Sequence, residues 1–129
     1  MELRNEFITE IKGVIEQSRL KAVRSVDHIR VRMYWELGRK IVEEEQQGNK
    51  RAKFKDFIIK KLSEYLQPQF GSGFNIRQLE RCRQLYGYYP IAAALRPQLN
   101  WTQYKLLLRI DNQSKRIFYE AETAKNNWS

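Results

Sequence analysis

The 129-residue chain is poor in the residues on which several protein classes depend. It has one cysteine and one histidine, which excludes an internal disulfide and a zinc site with four Cys or His ligands. No apolar run approaches the roughly 20 residues of a membrane-spanning helix, and the N-terminus lacks the basic and then apolar layout of a signal peptide. We therefore expect a cytoplasmic protein without disulfides and without membrane contact.

Side chains that could act in catalysis or hold a metal ion or phosphate are equally sparse. His28 has no cysteine or carboxylate pair placed to share a metal, and Cys82 lies on an apolar helix face. The turn at 71–73 (Gly-Ser-Gly) lacks the Gly-Lys-Ser/Thr that completes a phosphate-binding loop. The Glu-x-Lys at 10–12 stands alone on a helix, without the clustered carboxylates that hold Mg²⁺ in a nuclease. We expect no catalytic residue, no metal and no cofactor, so this segment is not itself an enzyme.

The spacing of apolar residues is helical almost throughout, and only three prolines and six glycines interrupt it. Two stripes in the first 47 residues predict one long helix or two helices with a bend near 19–21. The first stripe is Leu3, Phe7, Ile11, Val14, Ile15 and Ser18, and the second is Ala22, Val26, Ile29, Met33, Leu37 and Ile41. Further helices are predicted at 51–66, 76–88, 101–110 and 112–126, with a short one at 91–95. This pattern predicts an all-α fold of five or six helices in a single domain spanning 1–129.

Residues with strong positional preferences mark the ends of these helices. Asn75, Asn100 and Asp111 are predicted N-caps, Pro68 is expected to stop the second helix, and Gly48-Asn49 is expected to end the first. Within the first helix, Gly38 is expected to permit a close helix approach. Of the three tryptophans, we expect Trp35 and Trp101 in the core.

Positive charge is concentrated in the middle of the chain. The net charge is +9 overall, and residues 51–90 hold eight Lys/Arg against three Asp/Glu, whereas residues 1–50 are nearly neutral. A surplus of this kind is typical of a surface that binds a polyanion. The alternative is charge that serves only solubility.

A lysine-bearing helix, a glycine turn and the helix 76–88 follow in the order of a helix-turn-helix. Arg77, Arg81 and Gln84 form a row at i, i+4 and i+7, and arginine and glutamine side chains match base edges in the DNA major groove. The lysines are expected to contact phosphates, Asn75 to open a helix end suited to a phosphate, and Arg83 to make an edge contact. The candidate DNA-binding residues are Lys53, Lys60, Lys61, Asn75, Arg77, Gln78, Arg81, Arg83 and Gln84. The alternative for each is an ordinary solvent-exposed helix position.

Several short sequence segments together resemble those of a known protein family. They are Tyr34-Trp35-Glu36-Leu37-Gly38-Arg39-Lys40-Ile41, Leu62-Ser63, Phe70-Gly71-Ser72-Gly73-Phe74-Asn75, Leu79, Tyr89-Pro90, Leu99-Asn100-Trp101-Thr102-Gln103-Tyr104, Leu107-Leu108, Phe118-Tyr119 and Asn127-Trp128-Ser129. Over residues 8–129 the chain resembles the N-terminal helical domain of the YhcG-type proteins, bacterial proteins with a C-terminal PD-(D/E)xK nuclease domain. The chain departs from the family where Phe54-Lys55 replaces Tyr-Gly and where Asn75 and Asn100 replace serine.

The resemblance implies a fragment of a longer protein whose nuclease domain lies beyond Ser129. The segment would then be a module that binds DNA, expected to be double-stranded, and positions the nuclease domain of the same chain. The alternative is a protein-interaction or dimerisation module without direct DNA contact, in which the stretch 2–47 packs against a second copy and Trp35, Trp101 and Trp128 are interface anchors. A homo-oligomer is compatible with either.

Overall fold

The computed structural model describes residues 4–47 and 52–126, with side chains described for 4–46 and 54–126. This part of the chain contains no β-strand. It consists of five α-helices and two 3-10 turns: α1 (Asn5–Gln47), α2 (Ala52–Phe70), a turn at Ser72–Phe74, α3 (Ile76–Tyr88), a turn at Ala92–Ala94, α4 (Trp101–Leu107) and α5 (Gln113–Asn126). The predicted all-α fold is confirmed. None of these helices has an apolar stretch long enough to cross a bilayer.

Helix α1 is one continuous helix of 43 residues, so the first of the two predicted alternatives is confirmed and there is no bend near 19–21. Only its C-terminal part packs against the domain, through a face that includes Val31, Tyr34, Trp35 and Ile41. The predicted second stripe is largely on the wrong side, because Val26, Ile29 and Met33 are exposed. Apolar spacing identifies an apolar face, and it does not reveal whether another element covers that face. The predicted end at Gly48-Asn49 lies outside the described residues.

Helix α3 lies at the centre of the domain, against α1. A Cβ at Gly38 would overlap the backbone carbonyl of Cys82, so the two helices approach as closely as the sequence predicted. Beside this contact, the indole Nε1–H of Trp35 donates to the carbonyl oxygen of Tyr89 at 2.6 Å, and its ring packs edge-on to Tyr86. Trp35 is buried, as expected.

Helix α2 forms a second, smaller core cluster. Ile59 is buried there with Ile41 and Leu79. The helix continues through Pro68 to Phe70, so the prediction that this proline ends it at 66 is wrong. A proline removes one internal hydrogen bond and its ring crowds the carbonyl four residues earlier, yet two further helical residues follow Pro68. Gly71 then adopts a φ of +99°, a conformation that favours glycine.

Helices α4 and α5 close the domain on its other side. Asn100 caps α4 through a complete capping box with Gln103, and Trp101 is buried, as predicted. Helix α5 begins one residue later than expected, because Asn112 rather than Asp111 accepts a hydrogen bond from the backbone N–H of Lys115, at 2.9 Å.

Candidate functional site

A groove of about 680 Å³ lies between α3 and the end of α4. Its lining is predominantly basic, with five cationic side chains and two carboxylates. The lining residues are Arg77, Glu80, Arg81, Arg83, Gln84, Lys105, Leu108, Arg109 and Asp111. We call this surface the cationic groove.

The amphipathic pattern of α3 builds one wall of the cationic groove. Leu79, Cys82 and Leu85 are fully buried, and this fixes the rotation of the helix about its axis. Arg77 and Arg81, one turn apart, therefore point along the groove. The row predicted from their spacing lies in one concave surface.

The other wall is the C-terminal end of α4 and the turn that follows it. The side chain of Gln84 joins the two walls, because its Nε2 donates to the carbonyl oxygen of Leu108 at 2.8 Å and lies 3.3 Å from the hydroxyl of Tyr88. That carbonyl belongs to the end of a helix, where main-chain acceptors lack intrahelical partners. Gln84 is therefore a structural brace of the groove, and its amide nitrogen is already engaged.

One of the five cations is neutralised within the domain. Arg83 donates to the carboxylate of Glu45 on α1 at 3.0 Å, and Glu45 is only 6% exposed. In the described part of the chain, no ion pair involves Arg77, Arg81, Lys105 or Arg109. Four unpaired cations thus face the two carboxylates of Glu80 and Asp111, and the surplus is positive.

The remaining predicted residues have other positions. Gln78 is buried, which contradicts its predicted place facing the DNA, because the one-residue step from Arg77 turns it toward the core. Asn75 is the N-cap of α3 and its Oδ1 accepts from the backbone N–H of Gln78 at 2.8 Å, so its side chain is occupied. Lys60 and Lys61 are exposed on α2 and do not line the cationic groove, and the side chain of Lys53 lies outside the described residues.

Sequence reasoning missed Lys105 and Arg109, which complete the cationic groove. Both come from the α4 end of the chain, more than twenty positions after Arg81, and only the tertiary fold brings them to α3. Their i, i+4 spacing within the predicted helix 101–110 was the available signal, although Arg109 lies in the turn after Leu107.

The described side chains do not form an arrangement typical of acid–base catalysis or metal binding. Among them, no three His, Cys, Asp or Glu residues cluster as a metal site requires. The cationic groove contains neither histidine nor cysteine. Its lining carries a surplus of positive charge.

The fold and the site together define the protein as a small all-α domain with a cationic groove. The chain matches the family model for the DUF1016 N-terminal domain over residues 10–129, and it belongs to that family. It is similar to the putative nuclease YhcG of Escherichia coli (strain K12), with 28% identity over 148 aligned positions that cover 90% of this chain and 40% of the relative. The resemblance seen in the sequence is confirmed. No solved structure gives a significant match.

The chain thus spans about 40% of the length of the curated relative that it matches. The family model that it matches describes an N-terminal domain. Both findings agree with the prediction that this segment is not itself the enzyme, and they associate it with a nuclease-type protein.

Proposed function

We propose that this domain is a DNA-binding module that positions the nuclease part of a longer protein. The observation that carries the proposal is the set of four unpaired cations in the cationic groove: Arg77, Arg81, Lys105 and Arg109. Cations that have no acidic partner in the described part of the chain are available to bind phosphates, with release of counterions. A concave surface also concentrates their field on the ligand.

Phosphate contact is the main interaction that these residues support. Lys105 and Arg109 come from a helix end and a turn, and such contacts hold the protein in register on a duplex without reading its sequence. Arg77 and Arg81 have the planar donor fork that fits either a phosphate or the O6/N7 edge of guanine. We therefore assign any recognition of base edges to Arg77 and Arg81. Gln78 is buried and Gln84 is engaged by Leu108, so neither is assigned this role.

The lysines of α2 are secondary contacts in this proposal. Lys60 is exposed, and Lys61 lies 3.3 Å from Glu64 in an exposed ion pair, which is worth little in water and exchanges readily for a phosphate. Lys53 belongs to the same helix. The order α2, turn, α3 remains the predicted helix-turn-helix, with α3 as the helix closest to DNA.

The link to a nuclease comes from the family and from the relative. The relative is described as a putative nuclease and is more than twice as long as this chain. A basic module placed before a catalytic part would raise the local concentration of DNA at that part. Targeting in this sense requires binding to duplex DNA without strong sequence preference.

The test is fluorescence anisotropy with a labelled DNA duplex over a series of salt concentrations. Because each neutralised phosphate contributes about −0.9 to the slope of log K against log[salt], the four groove cations predict a slope of about −3 to −4. The variant Arg77→Glu/Arg81→Glu is expected to lower the affinity at least about tenfold and to flatten the slope by about 2. A single-stranded oligonucleotide of equal length tests the preference for a duplex.

The matched control is Lys115→Glu/Lys125→Glu. These two lysines are exposed on α5, outside the cationic groove, and their reversal changes the net charge by the same amount. The proposal requires the control to keep most of the affinity. An equal loss in both variants would reduce the effect to net charge, and a slope near zero would exclude phosphate neutralisation altogether.

A further inference from the structure

A second cavity, of about 280 Å³, lies between the loop after α3 and helix α5, and it shares no lining residue with the cationic groove. Three polar side chains in its lining are almost fully buried, since Tyr89, Arg116 and Glu120 are between 5% and 7% exposed. Ala94 and Ile117, which are exposed, form apolar parts of its wall. Sites for small molecules combine apolar walls with a few well-placed polar groups in this way. We call this space the α5 cavity.

Arg116 brings a positive charge to the α5 cavity that has no acidic partner. The central carbon of its guanidinium lies 3.6 Å from the centroid of the Tyr88 ring, so stacking holds its plane. In the described part of the chain no ion pair involves Arg116. Its two hydrogen bonds go from Nη1 to the carbonyl oxygens of Ile110, at 2.9 Å, and Asp111, at 3.5 Å. The edge formed by Nε and Nη2, which binds carboxylates as a fork, is therefore available.

The hydroxyl of Tyr89 is a second unsatisfied group at the same place. It is buried and makes no hydrogen bond within the described part of the chain. After burial itself, the charges of Glu120, Arg116 and Arg96 affect its pKa, and all three residues line the α5 cavity. The hydroxyl thus lies at the charged end of the cavity. A buried donor without a partner costs free energy, and an acceptor bound against Arg116 would supply that partner.

The charges of the α5 cavity favour a ligand with a single negative charge. Its lining has two arginines and one glutamate, a surplus of one positive charge. Arg96 lies 3.5 Å from buried Glu120 in an ion pair, so the surplus belongs to Arg116. A monoanion neutralises this charge. A dianion, such as a phosphate monoester near neutral pH, would add uncompensated negative charge beside Glu120, where poor solvation strengthens the repulsion.

We propose that the α5 cavity binds a small organic compound with one carboxylate and an apolar body. The carboxylate accepts hydrogen bonds from the free edge of Arg116 and from the Tyr89 hydroxyl, and the apolar body lies against Ala94 and Ile117. The volume of about 280 Å³ is near the lower end of the roughly 300–1,000 Å³ of ligand sites, which suits a compound of the size of benzoate. This site does not depend on the binding of DNA by the cationic groove.

The test is a titration of the full 129-residue chain, followed by NMR, with three probes that share a phenyl ring. Benzoate carries one negative charge, benzamide is its neutral counterpart, and phenyl phosphate is a dianion. We expect benzoate to bind saturably in the millimolar range, and the other two at least about fivefold more weakly at equal ionic strength. The shifts are expected in residues 88–96 and 113–120. A shift of the Nε–H signal of Arg116 would report the proposed contact directly.

A pair of substitutions on α5 separates the cavity from net charge. Ile117→Glu places a carboxylate in the cavity wall and is expected to weaken benzoate binding at least about fivefold, through repulsion. Phe118→Glu is the matched control, because it adds the same charge at the next position, outside the cavity, and both residues are exposed. It is expected to keep the affinity within about twofold, since water screens charges at the surface.

A second pair tests the hydroxyl without disturbing the fold. Tyr89→Phe is expected to weaken benzoate binding about tenfold, because a hydrogen bond to a charged group is lost, and to leave the stability intact, because the hydroxyl has no partner to lose. Tyr119→Phe makes the same change on α5 outside the cavity and is expected to have no effect.

Four results would overturn the proposal. Equal affinity for benzamide would reduce the α5 cavity to an apolar cleft, and tighter binding of phenyl phosphate would contradict the preference for a monoanion. Shifts that grow without saturation, or that fall on residues 77–84 and vanish in Arg77→Glu/Arg81→Glu, would show that benzoate has no site here. Equal affinities of Ile117→Glu and Phe118→Glu would likewise place the binding elsewhere.

Discussion

Gly38 and Gly13 occupy the same helix and have opposite roles. At Gly38 an added Cβ would overlap the backbone of Cys82, whereas at Gly13 it would meet nothing within 4 Å. A main-chain carbonyl cannot move aside as a flexible side chain does, so α1 and α3 would have to separate. This contact depends on the absence of a single carbon atom.

We therefore predict opposite effects for the two alanine substitutions. Gly38→Ala is expected to lower the free energy of unfolding by about 1–3 kcal/mol, the usual cost of overpacking. Gly13→Ala is expected to raise it by up to about 1 kcal/mol, because alanine loses less backbone entropy in a helix. Urea unfolding followed by circular dichroism measures both. Two changes of the same sign would contradict the close approach of α1 and α3.

At the scale of helices, short-range signals predicted the starts better than the ends, since α4 was expected to reach residue 110 and ends at Leu107. Helix α3 has the predicted bounds of 76–88, because Asn75 can cap its first turn and the residue before Pro90 avoids the helical conformation. Helix α2 continued four residues past its predicted end, through Pro68, so the stop signal at this proline was overridden. The bounds of α3 follow from local backbone chemistry, which the sequence contains.

Short-range signals could not predict how the helices pack against one another. The exposure of Val26 and Ile29 depends on where α3 docks on α1, and the apolar spacing of α1 does not encode that. The pairing of Arg83 with Glu45 joins positions 38 residues apart, and it removes a predicted cation from the candidate site. Lys105 enters the site for the same reason, through the fold.

Helix α4 gives a prediction at this scale. It has only seven residues, and both reciprocal bonds of its capping box are present, at 2.8 and 2.9 Å. A helix this short is not stable by propensity alone, so its cap helps to hold the buried Trp101 and Tyr104 in place. Asn100→Ala is expected to lower the free energy of unfolding by about 1–2 kcal/mol.

The matched control for this change is Asn112→Ala, on the longer helix α5. Asn112 is exposed and makes the same kind of side-chain capping bond on a helix twice as long, so its loss is expected to cost less, up to about 1 kcal/mol. Thermal or urea unfolding compares the two variants. Equal costs would show that the short helix α4 depends on its cap no more than α5 does.

At the scale of the whole molecule, the burial of ionisable groups shapes the response to pH. Burial raises the pKa of the Cys82 thiol from 9.0 to about 12. It also raises the pKa of the Tyr89 hydroxyl from 10.0 to about 12, with a smaller contribution from the Glu120 carboxylate. The pKa of Tyr104 is likewise raised by burial. All three groups lie in the core between α1, α3 and α4.

These shifts predict that the domain loses stability in alkali. From about pH 9 upward the unfolded chain releases protons that the folded chain still holds, so the unfolded state binds fewer protons and the free energy of unfolding falls as pH rises. Each group that differs fully contributes about 1.4 kcal/mol per pH unit. Urea unfolding between about pH 8 and about pH 11 measures the decline, and Cys82→Ala is expected to make its first part shallower, since the thiol titrates before the tyrosines. A flat profile would mean that these groups titrate alike in both states, and hence that the core between α1, α3 and α4 is open to water.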